Sequence, residues 1–175
     1  MSLADRLYPS MVPRRKVFVS YHHGGDQAYY NAFSRVFHDT LELITDTSLE
    51  RARDSDDPSY IMRCIREQHL HGSSCTVVLC GLATPLRKYV DWEIEASLIQ
   101  GMGLVGLRLP TLPVVNDGCS KPARLQDNID SGYAVWNSYE NVLQNPRELQ
   151  RLIESAVNKS SRLINNSRPR RLRNG

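Results

Sequence analysis

Six consecutive residues, Cys75-Thr-Val-Val-Leu-Cys80, form a run that is apolar apart from one threonine and carries no charge. A strand with one wet face alternates, so this run predicts a central strand of a parallel sheet covered by helices on both sides. Parallel neighbours need long crossovers, and the rest of the chain must provide them.

Lys16-Val-Phe-Val-Ser-Tyr21 predicts a first buried strand that stops at the loop His22-His23-Gly24-Gly25. Asp26 then stands where a helix N-cap belongs, and Ala28, Tyr29, Ala32, Phe33, Val36 and Phe37 recur at helical spacing to about His38. A second strand is expected at 41–45, and 46–58 reads as a charged loop. A helix over 59–70 turns Ile61, Met62, Ile65 and Leu70 to one side, and Gly72 ends it. After a loop over 81–87, residues 89–100 read as a helix closed by Gly101, with Val90, Trp92, Ile94, Ala96, Leu98 and Ile99 as its apolar surface. A fourth strand is expected at 104–109, a long irregular connection at 110–129, an edge strand at 133–136 and a last helix from Pro146 to about Ile164. The pattern is that of an α/β domain: an open, mostly parallel sheet of about five strands with helices on both faces. Ligands of such sheets bind beyond the strand C-terminal ends, here the loops 22–26, 46–58 and 81–88.

At 175 residues, 41% hydrophobic, with a mean hydropathy of -0.43, the chain has the length of one domain and enough apolar residues for a core. We divide it into an N-terminal extension (1–15), the domain proper (16–164) and a basic C-terminal tail (165–175). No apolar run reaches the roughly 18 residues that cross a bilayer, and 1–15 lacks the apolar stretch of a signal peptide, so a cytoplasmic protein without a membrane partner is expected. The net charge of +3 arises late: Lys159, Arg162, Arg168, Arg170, Arg171 and Arg173 follow the last acid, Glu154, and without those six the chain carries 16 cations against 19 acids. Nucleic acid is therefore not an expected partner, and the tail is expected to be frayed and solvated. The four cysteines have no Cys-x-x-Cys spacing, and Cys75 and Cys80, an odd number apart on a strand, face opposite ways. Neither disulfides nor a metal site are expected.

Gly101, Gly103 and Gly106 spell G-x-G-x-x-G, but a helix precedes and a strand follows, the reverse of what a phosphate cradle needs. There is no Walker-type lysine, the serines lack nucleophile-elbow flanks, and a phospho-receiver reading of Asp46 finds His22 and His23 where paired acids belong. The most suggestive group is Glu93 in Arg87-Lys-Tyr-Val-Asp-Trp-Glu-Ile-Glu95: with a helix starting near Tyr89, Tyr89 and Glu93 lie one turn apart and close to the loop edge of the sheet. An acid in the first turns is also favourable with the helix dipole without any function, a role that suits Asp91 and Glu95.

In their order, Val17-Phe-Val-Ser-Tyr21 with its His/Gly/Asp loop, Cys75-Thr-Val-Val-Leu-Cys80-Gly81, and Tyr89-Val-Asp-Trp-Glu-Ile94 resemble the TIR-like domain of Thoeris antiphage proteins over about residues 16–109. The resemblance implies a flavodoxin-like TIR fold and an enzyme that cleaves the nicotinamide–ribose bond of NAD, with NAD as substrate and no resident cofactor or metal. It further implies a cyclic ADP-ribose-type signal that activates a separate effector, a phage-derived trigger and homo-oligomeric assembly. By the same resemblance Glu93 takes the catalytic position, and Ser20, Tyr21, His22 and Tyr89 border the substrate. Two other readings stay open on the residues: a non-enzymatic module acting by homotypic assembly, and a nucleoside hydrolase or ribosyl-transfer enzyme, which would also want one carboxylate near a ribose.

Overall fold

The computed structural model describes residues 14–45 and 57–175; most of the expected charged loop at 46–58 and of the N-terminal extension lies outside them. Five strands, β1 (Arg15–Ser20), β2 (Leu41–Ile44), β3 (Cys75–Cys80), β4 (Gly103–Arg108) and β5 (Val135–Ser138), form one sheet in the order β2-β1-β3-β4-β5. Every neighbouring pair is parallel, with Val17 beside Cys75 and Ser20 beside Val78. This is the flavodoxin-like strand order, whose direction of winding reverses between β1 and β3. All six residues of β3 are buried, as its unbroken apolar run requires.

Helix α1 (His23–Phe37) packs on one face of the sheet together with α5 (Tyr139–Gln144) and α6 (Pro146–Val157), through Phe33, Phe37, Val142, Leu149, Leu152 and Ile153. On the other face lie α2 (Pro58–Cys64), α3 (Lys88–Ile99) and α4 (Ala123–Asp130). Cys75 belongs to the first side and Cys80 to the second, the opposite facing that strand alternation dictates. Helix α3 is buried almost all round, from Val90 to Leu98, because the sheet, α2 and α4 enclose it. That explains apolar residues at every second position, a spacing foreign to a surface helix.

Several expectations are corrected. Asp26 is no N-cap: α1 begins three residues earlier and encloses Asp26 in its first turn. Val36 and Ile99, expected inside, are exposed. The 59–70 helix becomes a π-turn at Ile65–His69, where the Leu70 amide donates to the Ile65 carbonyl at 2.9 Å and brings these two five-apart residues onto the core side together. Within the supposedly irregular 110–129 stands α4, hidden from a hydrophobic-period search because its buried positions include Arg124 and Asn128 beside Leu125. The last helix starts at Pro146 as expected but ends at Val157, an unexpected short helix, α5, precedes it, and β5 starts two residues later than expected. Gly103 and Gly106 serve close packing: a Cβ on Gly103 would lie 2.9 Å from the Val157 nitrogen, and one on Gly106 would lie 2.6 Å from the Trp136 ring.

The C-terminal tail is not frayed. It runs across the outer side of α3, where Arg170 forms two hydrogen bonds to Glu95 (2.6 and 3.1 Å), Arg168 two to Asp127 (2.7 and 2.9 Å), and the Trp92 indole donates to the Arg171 carbonyl at 2.7 Å. Its last residues reach the β3–α3 loop: the Lys88 amide donates to Asn174 Oδ1 and the Gly175 amide to the Leu86 carbonyl. Beneath the tail, fully buried Arg124 forks onto Asp91 (2.9 and 3.2 Å) and also donates to Asn166 Oδ1 and the carbonyls of Arg168 and Pro169. Composition suggested a solvated tail because its partners are acids 41 to 80 positions away in sequence. Asp91 and Glu95 thus hold the tail, rather than serving only the helix dipole.

Candidate functional site

The crevice where the winding reverses lies at the C-terminal ends of β1 and β3, and two expected residues meet there. β1 delivers Ser20 at its last position, on the face that looks toward α3 because Phe18, two residues back, also packs on that side. α3 delivers Glu93 from its second turn. The Ser20 hydroxyl donates to Glu93 Oε2, and Glu93 is only 5% exposed. The backbone at Glu93 is fixed from below: its carbonyl accepts from Ser97 Oγ at 2.7 Å, and Ser97 lies 2.7 Å from the Thr76 hydroxyl on β3. Asp91, two residues earlier, projects from the other side of α3, since two helical steps turn the direction by about 200°.

The other candidates are placed as follows. Tyr21 follows Ser20 on the strand and points to the opposite face, buried between His23 (ring centroids 4.0 Å) and Tyr30 (4.7 Å), with its hydroxyl donating to Gln27. His22 caps the start of α1, its ring against Gly24 and Gly25, where a Cβ would come within about 3.0 Å of it. Tyr89, one turn before Glu93, stands edge-on to Trp92 at 5.6 Å, and the Lys88 ammonium lies 5.0 Å from its ring centre. The structure therefore brings Ser20 and Glu93 into contact and sets Tyr21 on the α1 side of the sheet.

A second polar network at this edge centres on Asp26, which the sequence suggested only as a helix N-cap. Asp26 is 4% exposed, its carboxylate accepts from the Thr84 hydroxyl at 3.2 Å, and Thr84 Oγ1 in turn accepts from the Gly81 amide at 2.9 Å. Burial pushes the Asp26 carboxyl above its usual range, with Thr84 and His22 opposing. A Cβ on Gly81 would run into that carboxylate, so glycine is required by space alone. The network ties the β1–α1 loop to the β3–α3 loop. Its only sequence signal is a glycine directly after a buried strand.

A buried carboxylate held by a hydroxyl at a sheet edge can bind sugar hydroxyls and stabilise developing positive charge. Among the described residues no group of histidines, cysteines and acids is arranged to hold a metal ion, and no helix is long and apolar enough to cross a membrane.

Comparison with known proteins bears on the family. No curated protein sequence matches the chain. Among solved structures it is similar to the TIR domains in the structure of the activated Roq1 resistosome directly recognizing the pathogen effector XopQ, at 14% identity, 83% coverage of this chain, 85% of that chain and a TM-score of 0.40. Residues 18–113 match the family described as Thoeris protein ThsB, TIR-like domain. That match spans more than half of the chain, and the protein belongs to the ThsB TIR-like family.

Proposed function

We propose that this chain is an antiphage signalling enzyme that cleaves the nicotinamide–ribose bond of NAD and closes the remaining ADP-ribose into a cyclic signal for a separate effector. The observation that supports this reading is the buried Glu93 carboxylate, gripped by Ser20 at the β1 end of the crevice. When the ribose C1′–N1 bond breaks, its electron pair leaves with the nicotinamide, which departs neutral, and the ribose gains oxocarbenium character. A cationic leaving group needs no proton, so one fixed carboxylate beside the ribose hydroxyls suffices, unlike the acid–nucleophile pair of a glycosidase. Glu93 supplies that charge and Ser20 orients it. His22 and Tyr89 border the substrate, and Tyr21 supports His23 from beneath the loop. A purine nitrogen or hydroxyl of the same molecule then bonds to C1′, any proton it carries passing to solvent; exclusion of water from the crevice decides cyclisation against hydrolysis.

Incubating the purified protein with NAD, with and without phage-derived components, and separating products by mass tests the proposal. Free nicotinamide with a cyclic product of ADP-ribose mass less one water supports it. Free nicotinamide with linear ADP-ribose alone makes the chain a hydrolase. Intact NAD under every condition, with self-association retained, favours a homotypic interaction module.

A further inference from the structure

Where the tail crosses the start of α3, the protein forms a half-open pocket of about 220 Å³ that Glu93 does not line, bounded by Arg87, Asp91, Pro122, Ala123, Arg168 and Arg171 among others. Its single lining carboxylate is already satisfied, because Asp91 accepts from Arg124 Nε and Nη2 and from the Arg171 amide. Arg168 is paired with Asp127. The guanidiniums of Arg87 and Arg171 have no hydrogen-bond or ion-pair partner among the described residues, and Arg87 Nε is shielded from solvent without one. A buried N–H donor left unpaired is costly, and on a guanidinium it is best completed by an anion. Two helix starts add to the positive field: Arg87 caps the twelve-residue α3 and Pro122 caps α4.

We propose that this pocket binds a small phosphate-bearing anion, and that the anion locks the C-terminal tail onto the helix that carries Glu93. The pocket is below the roughly 300–1,000 Å³ typical of organic ligand sites, which favours an inorganic phosphate or diphosphate, or the phosphate end of a nucleotide. Guanidiniums contributed by the tail (Arg171) and by the body (Arg87) share the anion as planar bidentate donors, so occupancy adds a link between the two segments where two cations otherwise face one pocket. Release of the tail and loss of the anion are then one linked equilibrium.

The test uses the full chain at constant ionic strength, with inorganic pyrophosphate as the probe and ADP as the second arm, read by calorimetry and by trypsin cleavage within the tail. Saturable pyrophosphate binding tighter than about 1 mM, slower tail cleavage when bound, and at least a tenfold weaker affinity in Arg87→Gln and in Arg171→Gln support the site. Arg162→Gln, an exposed arginine outside the pocket, keeps the wild-type affinity. If ADP is displaced by pyrophosphate and weakened by the same two substitutions, the natural source is a nucleotide; if pyrophosphate alone binds, it is inorganic. Both substitutions remove unpaired cations, so ligand-free thermal stability stays at or above that of the wild type. Absence of saturable pyrophosphate binding, binding indifferent to Arg87→Gln and Arg171→Gln, or ligand-free variants that unfold at lower temperature overturn the proposal.

Discussion

Replacing Arg124 by alanine is the perturbation that most severely tests how the tail and α3 are held. Arg124 is fully buried and Asp91 is 8% exposed; the guanidinium supplies two hydrogen bonds to that carboxylate and three more to Asn166, Arg168 and Pro169. Truncation leaves Asp91 enclosed with only the Arg171 amide as a donor, and three tail acceptors lose theirs. Breaking a buried pair from one side costs about 3–5 kcal/mol. For a domain of this length each kcal/mol corresponds to about 2–4 °C, so a fall in melting temperature of roughly 6–20 °C is expected. The exposed Arg168–Asp127 pair contributes at most about 1 kcal/mol and cannot retain the tail alone. Urea unfolding gives the stability, and hydrogen exchange at the Arg171 amide reports docking. Combining Arg124→Met with Asp91→Leu removes both charges, and a recovery of most of the loss identifies the orphaned carboxylate as its source. A loss below about 1 kcal/mol for Arg124→Ala, or strictly additive effects of the two sites, refutes this reasoning.

Two further outcomes follow from buried titratable groups. Because burial raises the Asp26 carboxyl above its ordinary 3.8, the folded protein binds more protons than the unfolded chain between that value and the raised one, and Asp26 erodes stability as pH rises through this window. Asp26→Asn removes this slope, so its advantage over the wild type in urea unfolding grows from pH 4 upward and then levels; an advantage that is constant with pH refutes the assignment. Burial pushes the Cys75 thiol up to about 12 and raises Cys80 as well, whereas Cys64 and Cys119 are half-buried. A thiol-specific reagent at neutral pH is expected to label Cys64 and Cys119 in the folded protein, and Cys75 and Cys80 only after denaturation; rapid labelling of all four without unfolding contradicts this.

Elements whose burial is apolar were readable from the chain. β3 matches its apolar run residue for residue, and Ile61, Met62 and Ile65 turn inward at helical spacing, whereas Leu70 joins them only through the π-turn. Elements buried through polar chemistry were not: α4 hides behind Arg124 and Asn128, and the tail docks by guanidinium–carboxylate pairs that leave no local period. At the site, strand alternation on β1 and helical spacing on α3 suffice to place Ser20 and Glu93 on facing surfaces. The same alternation sends Tyr21 to the far side, a consequence that grouping neighbours along the sequence overlooks. The Asp26–Thr84–Gly81 network joins residues up to 58 positions apart and has no periodic trace.

The central claim is that the Glu93 carboxylate carries the charge that breaks the nicotinamide bond, and comparing NAD turnover by wild type and Glu93→Gln tests it most directly. Glutamine keeps the shape and can still accept from Ser20 but lacks the negative charge. Loss of an electrostatic stabiliser of this kind lowers turnover by about 10²–10³-fold, and NAD binding should survive. A Glu93→Gln protein that folds normally and consumes NAD at the wild-type rate contradicts the account.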